Sequence, residues 1–224
     1  MKINKPFAVV SAVALLLALV AWSPPSSEDI VVGSTALTSP NGAIIVVGSG
    51  SSGKSRGSVI VGSNHLVSDD PDRSDRLGTI ISGTANTVDA TASLVSGTNN
   101  VAKRPGTTVD VKSSGIIGTD NNISNAHGYI MGGFNNVSGD YGVALGVSNT
   151  VTGAYGSALG SGLSATQNNS VAVGVWNAPM VSGDLFVVGN GSSTTQSTAF
   201  RVTKAGDVMV TKAQGDISMG AYGN

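Results

Sequence analysis

Cysteine is absent from this 224-residue sequence. That one absence removes disulfide scaffolds, Cys zinc sites and thiol nucleophiles together. Charge is scarce: Asp, Glu, Lys and Arg make up 11%, against ~25% in an ordinary soluble domain. The net charge of -1 gives no field to hold nucleic acid by its phosphates. Aromatic residues are only 4% of the chain. Proline (7) and glycine (31) together fall short of the ~25–30% that marks low-complexity disorder. No 3.6-residue apolar period of useful length occurs beyond the N-terminal segment. So much Gly in helix interiors would also cost ~1 kcal/mol per residue against Ala. What is left is an all-β protein punctuated by glycine, with few charges.

The N-terminus is read as targeting rather than fold. Lys2 and Lys5 precede an uncharged stretch from Phe7 to Trp22, and Ser23-Pro24-Pro25-Ser26-Ser27 breaks it. That is the layout of a secretory signal peptide, short of the ~20 apolar residues that span a bilayer comfortably. No clean cleavage point is present, so 1–27 is a signal peptide or an uncleaved N-terminal anchor. In either case the rest is expected to be exported, extracellular or at the cell surface, with membrane contact only through this segment.

A repeat dominates the remainder. Short apolar runs end in Gly33, Gly48, Gly62, Gly83, Gly97, Gly118, Gly132, Gly146, Gly160, Gly174 and Gly189. The spacings are 15, 14, 21, 14, 21, 14, 14, 14, 14 and 15, so the two long intervals are 14 plus an insertion of 7. Three residues after the Gly stands Asn86, Asn100, Asn121, Asn135, Asn149 or Asn177. Five residues after it comes Val67, Val88, Ala102, Ile123, Val137, Val151 or Ala165. Each unit thus holds two short apolar segments separated by Gly/Asn turns, which tolerate left-handed backbone. Two strands and two turns per unit make one coil of a parallel β-solenoid with coils ~4.8 Å apart, and the nine intervals from Gly48 to Gly189 give a rod of roughly 43 Å. The recurrent Asn suits a side-chain ladder along the axis or simple turn chemistry. The interior is assigned to Val59, Ile80, Leu94, Ile116, Ile130, Ala144, Ala158 and Ala172 as one set.

Units such as Asn169-Ser170-Val171-Ala172-Val173-Gly174 and Tyr141-Gly142-Val143-Ala144-Leu145-Gly146-Val147-Ser148-Asn149 resemble the head repeats of trimeric autotransporter adhesins (YadA-like). The resemblance is good over 129–178 and looser over 45–128. It implies a left-handed parallel β-roll of 14-residue coils, assembled as a homotrimer. Residues 184–212 are similar instead to segments of trimeric phage-tail-fibre-like proteins. There Phe200, Val202, Val208 and Val210 alternate with Arg201, Thr203, Asp207 and Met209 around Lys204-Ala205-Gly206-Asp207, which reads as a β-hairpin with one buried face. The organisation is therefore 1–27 targeting, 28–183 head repeats with insertions near 68–76 and 103–111, and 184–224 a fibre-like β segment. The stalk and membrane-anchoring barrel of the adhesin family have no counterpart in 213–224.

Several motifs invite chemistry. Gly48-Ser49-Gly50-Ser51-Ser52-Gly53-Lys54-Ser55 fits a P-loop by letter, but a P-loop must open a helix and here the next strand of the repeat follows. His65 and His127 lie in different coils without an acid partner in phase and are read as turn residues. Asp69, Asp70, Asp72, Arg73, Asp75 and Arg76 crowd the first insertion, interleaved in a way that fits no EF-hand. The sequons at Asn122 and Asn136 are read as turn chemistry. Tyr129, Phe134, Tyr141, Tyr155 and Trp176 occur singly, with no placement legible. No catalytic set, cofactor or metal site is expected.

From 113 to 183 only Asp120 and Asp140 are charged. A lone roll so poor in charge would expose apolar patches, and burial against sister chains removes them. The expected object is a homotrimeric, non-enzymatic attachment head for an unknown extracellular protein or glycan. The alternative is a structural subunit of a trimeric fibre. Asp69, Asp70, Asp72, Arg73, Asp75, Arg76, Lys103 and Arg104, on the two insertions, are the partner-binding candidates or solubilising charges.

Overall fold

The computed structural model describes residues 30–33, 36–38, 45–54, 57–67, 78–103, 111–124 and 127–210. Among them there is no helix. The targeting segment 1–27 lies outside the described residues. Each coil from Gly48 to Gly160 places one five-residue strand in a long sheet and a two- or three-residue strand in a narrow sheet. The long-sheet strands run from Ile45–Ser49 through Val59–Ser63 and Ile80–Thr84 to Val171–Val175. The long sheet has 13 strands and the narrow one 9. Neighbouring coils pair in parallel, and every Gly from Gly48 to Gly189 opposes the Gly of the next coil. The two insertions leave this register untouched, since Val59 pairs with Ile80 and Leu94 with Gly115. The β-solenoid of 14-residue coils read from the sequence is the observed fold.

The glycine is required by the approach of one coil to the next. At Gly132 the φ of 133° lies outside the comfortable range of L side chains, and an added Cβ would sit 1.8 Å from the Gly146 carbonyl oxygen. Any side chain would therefore push the coils apart.

The core is two facing columns. One stands two residues before the Gly: Val46, Ile60, Ile81, Val95, Ile116, Ile130, Ala144, Ala158 and Ala172, all buried. The other is the column expected five residues after it, Val67 to Ala165, also buried. Three residues of the interior set were misplaced. Val59, Ile80 and Leu94 stand three residues before their Gly and turn outward. Strand side chains alternate, so a one-residue error of phase moves a residue to the other face. Ile60, Ile81 and Val95 take their place inside.

The Asn series is a buried ladder. Asn121 donates its N–H to Asn100 Oδ1 at 3.1 Å and its Nδ2 to the same oxygen at 3.0 Å, while Nδ2 also reaches the Gly132 carbonyl at 2.8 Å. Asn135 repeats this on Asn121 and Gly146. The side chain thus satisfies backbone groups that a corner would leave orphaned. At Leu163 the ladder stops: its N–H still donates to Asn149 Oδ1 at 3.0 Å, but its side chain is buried in the core. That is the coil in which both core columns carry Ala, at Ala158 and Ala165, and Leu163 fills the volume they leave.

Beyond Val175 the strand Asp184–Asn190 still pairs in parallel, and Thr198–Thr203 and Val208–Val210 then add antiparallel. The expected hairpin forms, with Phe200 opposite Val210 and Val202 opposite Val208. Its expected buried face does not form among the described residues: Val208, Met209 and Val210 are all exposed. The hairpin extends the sheet past the last coil, and no layer of the described residues lies over it. A buried carboxylate ties it down. Asp184 Oδ2 accepts the Val181 N–H at 2.8 Å, and Oδ1 lies 3.4 Å from Arg201 Nε.

Candidate functional site

The two outer faces of the solenoid differ in chemistry. The narrow sheet points Thr87, Asn122, Asn136, Thr150 and Ser164 away from the core, with Leu66 and Val101 as apolar members of the same column, and Asn122 Nδ2 donates to Asn136 Oδ1 at 3.0 Å. The long sheet points apolar residues outward over its whole length. Ile45, Val47, Val61, Ile80, Leu94, Ile117, Tyr129, Met131, Leu145 and Leu159 are exposed there. Midway, Ser82, Ser96 and Gly115 are small, and the face dips into a groove of about 580 Å³ walled by Ile80, Leu94, Ile117, Tyr129 and Met131. The alternation that drives Ile81, Val95 and Ile116 into the core puts their neighbours on this face, so the pattern of the strand itself creates it.

Each coil turns twice through left-handed backbone, and most of these residues are not glycine. Two residues after the Gly stand Asn64, Ala85, Asn99, Asp120, Phe134, Ser148 and Trp176, with φ between 42° and 58°. Five residues before it stand Ala92, Ser113, His127, Tyr141, Tyr155 and Asn169, with φ between 46° and 60°. On this second corner three rings stack. His127 lies 4.6 Å from Tyr141 and Tyr141 lies 4.9 Å from Tyr155, centroid to centroid, with interplanar angles of 11° and 1°. Read singly, these aromatics show no order. The signal was their common distance of five residues from Gly132, Gly146 and Gly160.

His127 takes the turn position expected of it. His65 does not: it occupies the Asn column and is buried. Its N–H donates to Ser51 Oγ at 3.2 Å, and its Nδ1 accepts the Asn86 N–H at 3.3 Å. With Nδ1 an acceptor, the proton sits on Nε2, which donates to the Val61 carbonyl at 3.3 Å. Burial pushes its pKa below the ordinary histidine value, more than the bond to Val61 raises it. The imidazole thus stands in for an Asn side chain, accepting from the next coil.

Of the partner-binding residues read from the sequence, Lys103 is described and exposed. Asp69, Asp70, Asp72, Arg73, Asp75, Arg76 and Arg104 lie outside the described residues. The P-loop letters open no helix: Ser51 is buried in the Asn column, Ser52–Lys54 is a strand, and Val59–Ser63 follows. Among the described residues no three His, Asp or Glu side chains come together to hold a metal ion.

The chain matches no protein-family model, no curated protein and no solved structure.

Proposed function

We propose that this chain is a non-enzymatic, self-associating β-roll that serves as an exported attachment head. One observation carries the proposal: the outward face of the long sheet is apolar from Ile45 to Leu159, while the opposite outer face is polar except at Leu66 and Val101. Ile45 to Leu159 spans seven coil steps, so at ~4.8 Å per coil and ~3.3 Å per residue this face is about 34 Å by 16 Å, or about 540 Å². That lies at the upper end of the ~300–600 Å² patch of a typical monomer and is about two thirds of the ~800 Å² per partner of a stable interface. Sister chains set side by side with parallel axes would cover it, and would cover the exposed hairpin residues Val208, Met209 and Val210 at the same time. The resemblance of the repeats to trimeric autotransporter heads favours three copies. The charged insertions, three times repeated around the axis, would then add weak contacts by avidity.

Two substitutions on the face test this. Ile117→Lys and Met131→Lys leave the core columns alone and place charge on the proposed contact, so each should release folded monomers. If both remain in the wild-type assembly, the long-sheet face is not the interface. Attachment is tested separately, by binding of coated beads to matrix and cells before and after seven residues are removed from each insertion. Unchanged binding would leave those insertions as solubilising segments. The fibre-subunit alternative shares the assembly and predicts no bead attachment at all.

A further inference from the structure

We infer that Tyr155, together with Gln167, Asn168 and Asn169 of the next coil, forms a binding platform for a neutral pyranose ring. This rests on the attachment reading and supplies it with a ligand class. The starting point is the corner five residues before each Gly, where Gly57, Ala92, Ser113 and Asn169 also stand in left-handed backbone. His127, Tyr141 and Tyr155 occupy it in three successive coils, and their rings stack face to face along the axis.

The stack ends at Tyr155, and its end is open. Tyr141 is sandwiched between two rings and is 48% exposed, whereas Tyr155 is stacked on one face and is 58% exposed. The next residue on that corner is Asn169, whose N–H donates to the Ala154 carbonyl at 2.8 Å. An Asn side chain is shorter than a phenol, so the outer part of the ring has no cover from the coil below it. The turn of the next coil that bonds to Ala154, beside Tyr155, carries three amides in a row, Gln167, Asn168 and Asn169. Asn168 Oδ1 accepts the Ala154 N–H at 3.0 Å, which orients the group and leaves its Nδ2 hydrogens for a partner from solvent. Asn169 is exposed and Gln167 half-buried.

A flat apolar ring face bordered by amide donors and acceptors matches one chemistry well. A pyranose offers a face of C–H groups and a rim of hydroxyls. The C–H face would stack on Tyr155 and continue the column by one ring, and the hydroxyls would meet Gln167, Asn168 and Asn169. Charge argues for a neutral sugar, because Asp120 and Asp140 are the only Asp, Glu, Lys or Arg residues between 113 and 183. The site lies on a corner rather than on the apolar sheet face, so self-association would leave it accessible and multiply it.

The test uses the full chain and four neutral disaccharides: cellobiose, lactose, maltose and N,N'-diacetylchitobiose. Saturation-transfer NMR at ~10 mM sugar detects sites with Kd near ~1 mM. At least one disaccharide should receive saturation, strongest on the C–H protons of one ring face. Tyr155→Ala should weaken binding about tenfold, Tyr155→Trp should keep it, and Phe134→Ala, on the other corner, should change nothing. No transfer to any of the four sugars overturns the proposal. So does transfer that Tyr155→Ala leaves intact or that Phe134→Ala abolishes. None of these outcomes touches the assembly, which Ile117→Lys and Met131→Lys report on their own.

Discussion

Replacing Asn135 tests whether the ladder holds the coils together or merely decorates a turn. Its Oδ1 accepts the Asn149 N–H at 3.0 Å, and its Nδ2 donates to Asn121 Oδ1 at 3.0 Å and to the Gly146 carbonyl at 2.8 Å. Asn135→Ala removes three hydrogen bonds, each worth about 1 kcal/mol net. It also leaves the buried Asn149 N–H without an acceptor, for a further ~1–3 kcal/mol. The sum is about 4–6 kcal/mol, which at ~2–4 °C per kcal/mol lowers Tm by roughly 8–24 °C. Asn135→Asp is the sharper probe because it keeps the shape. Its second oxygen would face two acceptors, Asn121 Oδ1 and the Gly146 carbonyl, with no proton to share. Burial and those oxygens raise the folded-state pKa above the unfolded value. The damage is therefore full at neutral pH and is relieved as pH falls and the carboxyl becomes a donor. Thermal denaturation of both variants at pH 4.5 and pH 7.5 reads this directly. A loss below ~1 kcal/mol for Asn135→Ala, or an Asn135→Asp variant no more stable at the lower pH, would refute the ladder's role.

Three further outcomes follow from the same geometry. Gly146→Ala places a Cβ 1.9 Å from the Gly160 carbonyl, so the coils must part; circular dichroism should show loss of the fold, and a native-like Tm would contradict the packing. Leu163→Ala should cost about 2–5 kcal/mol in chemical denaturation, because Ala158 and Ala165 cannot fill its place; a cost under ~1 kcal/mol would mean that the coil collapses around the gap. His65 has a folded-state pKa below its unfolded value of ~6.5, so its contribution is present above that pH and is lost as pH falls through the folded pKa. Hydrogen exchange at 45–67 should therefore quicken below pH 6 in wild type, and His65→Asn, which restores the repeat's own side chain, should abolish that dependence. Equal acid sensitivity in the variant would place the titrating group elsewhere.

The coil period, the parallel stacking and the glycine register were legible because they are statements about spacing, and the backbone enforces spacing. Interior phase was less secure. In Val59-Ile60-Val61 and Ile80-Ile81 neighbouring residues are equally apolar, so composition cannot say which one points inward. The choice falls to the Gly two positions on, whose conformation fixes the parity of the strand. Asn was legible as a recurrent residue but not as buried, since its worth in a turn and its worth in a ladder leave the same letter. His65 and Leu163 break the letter while keeping the place, and only the column reveals them. The ring stack escaped for a related reason: three aromatics 14 residues apart look scattered until the coil brings them within 5 Å.

The outer face of the long sheet carries the functional proposal, and the mass of the folded chain in solution tests it most directly. Sedimentation equilibrium of the folded chain at micromolar concentration should give three times the chain mass, with Ile117→Lys shifting it to one. A folded wild-type monomer at that concentration, with Ile45, Val61, Leu94, Met131 and Leu145 open to water, would contradict it.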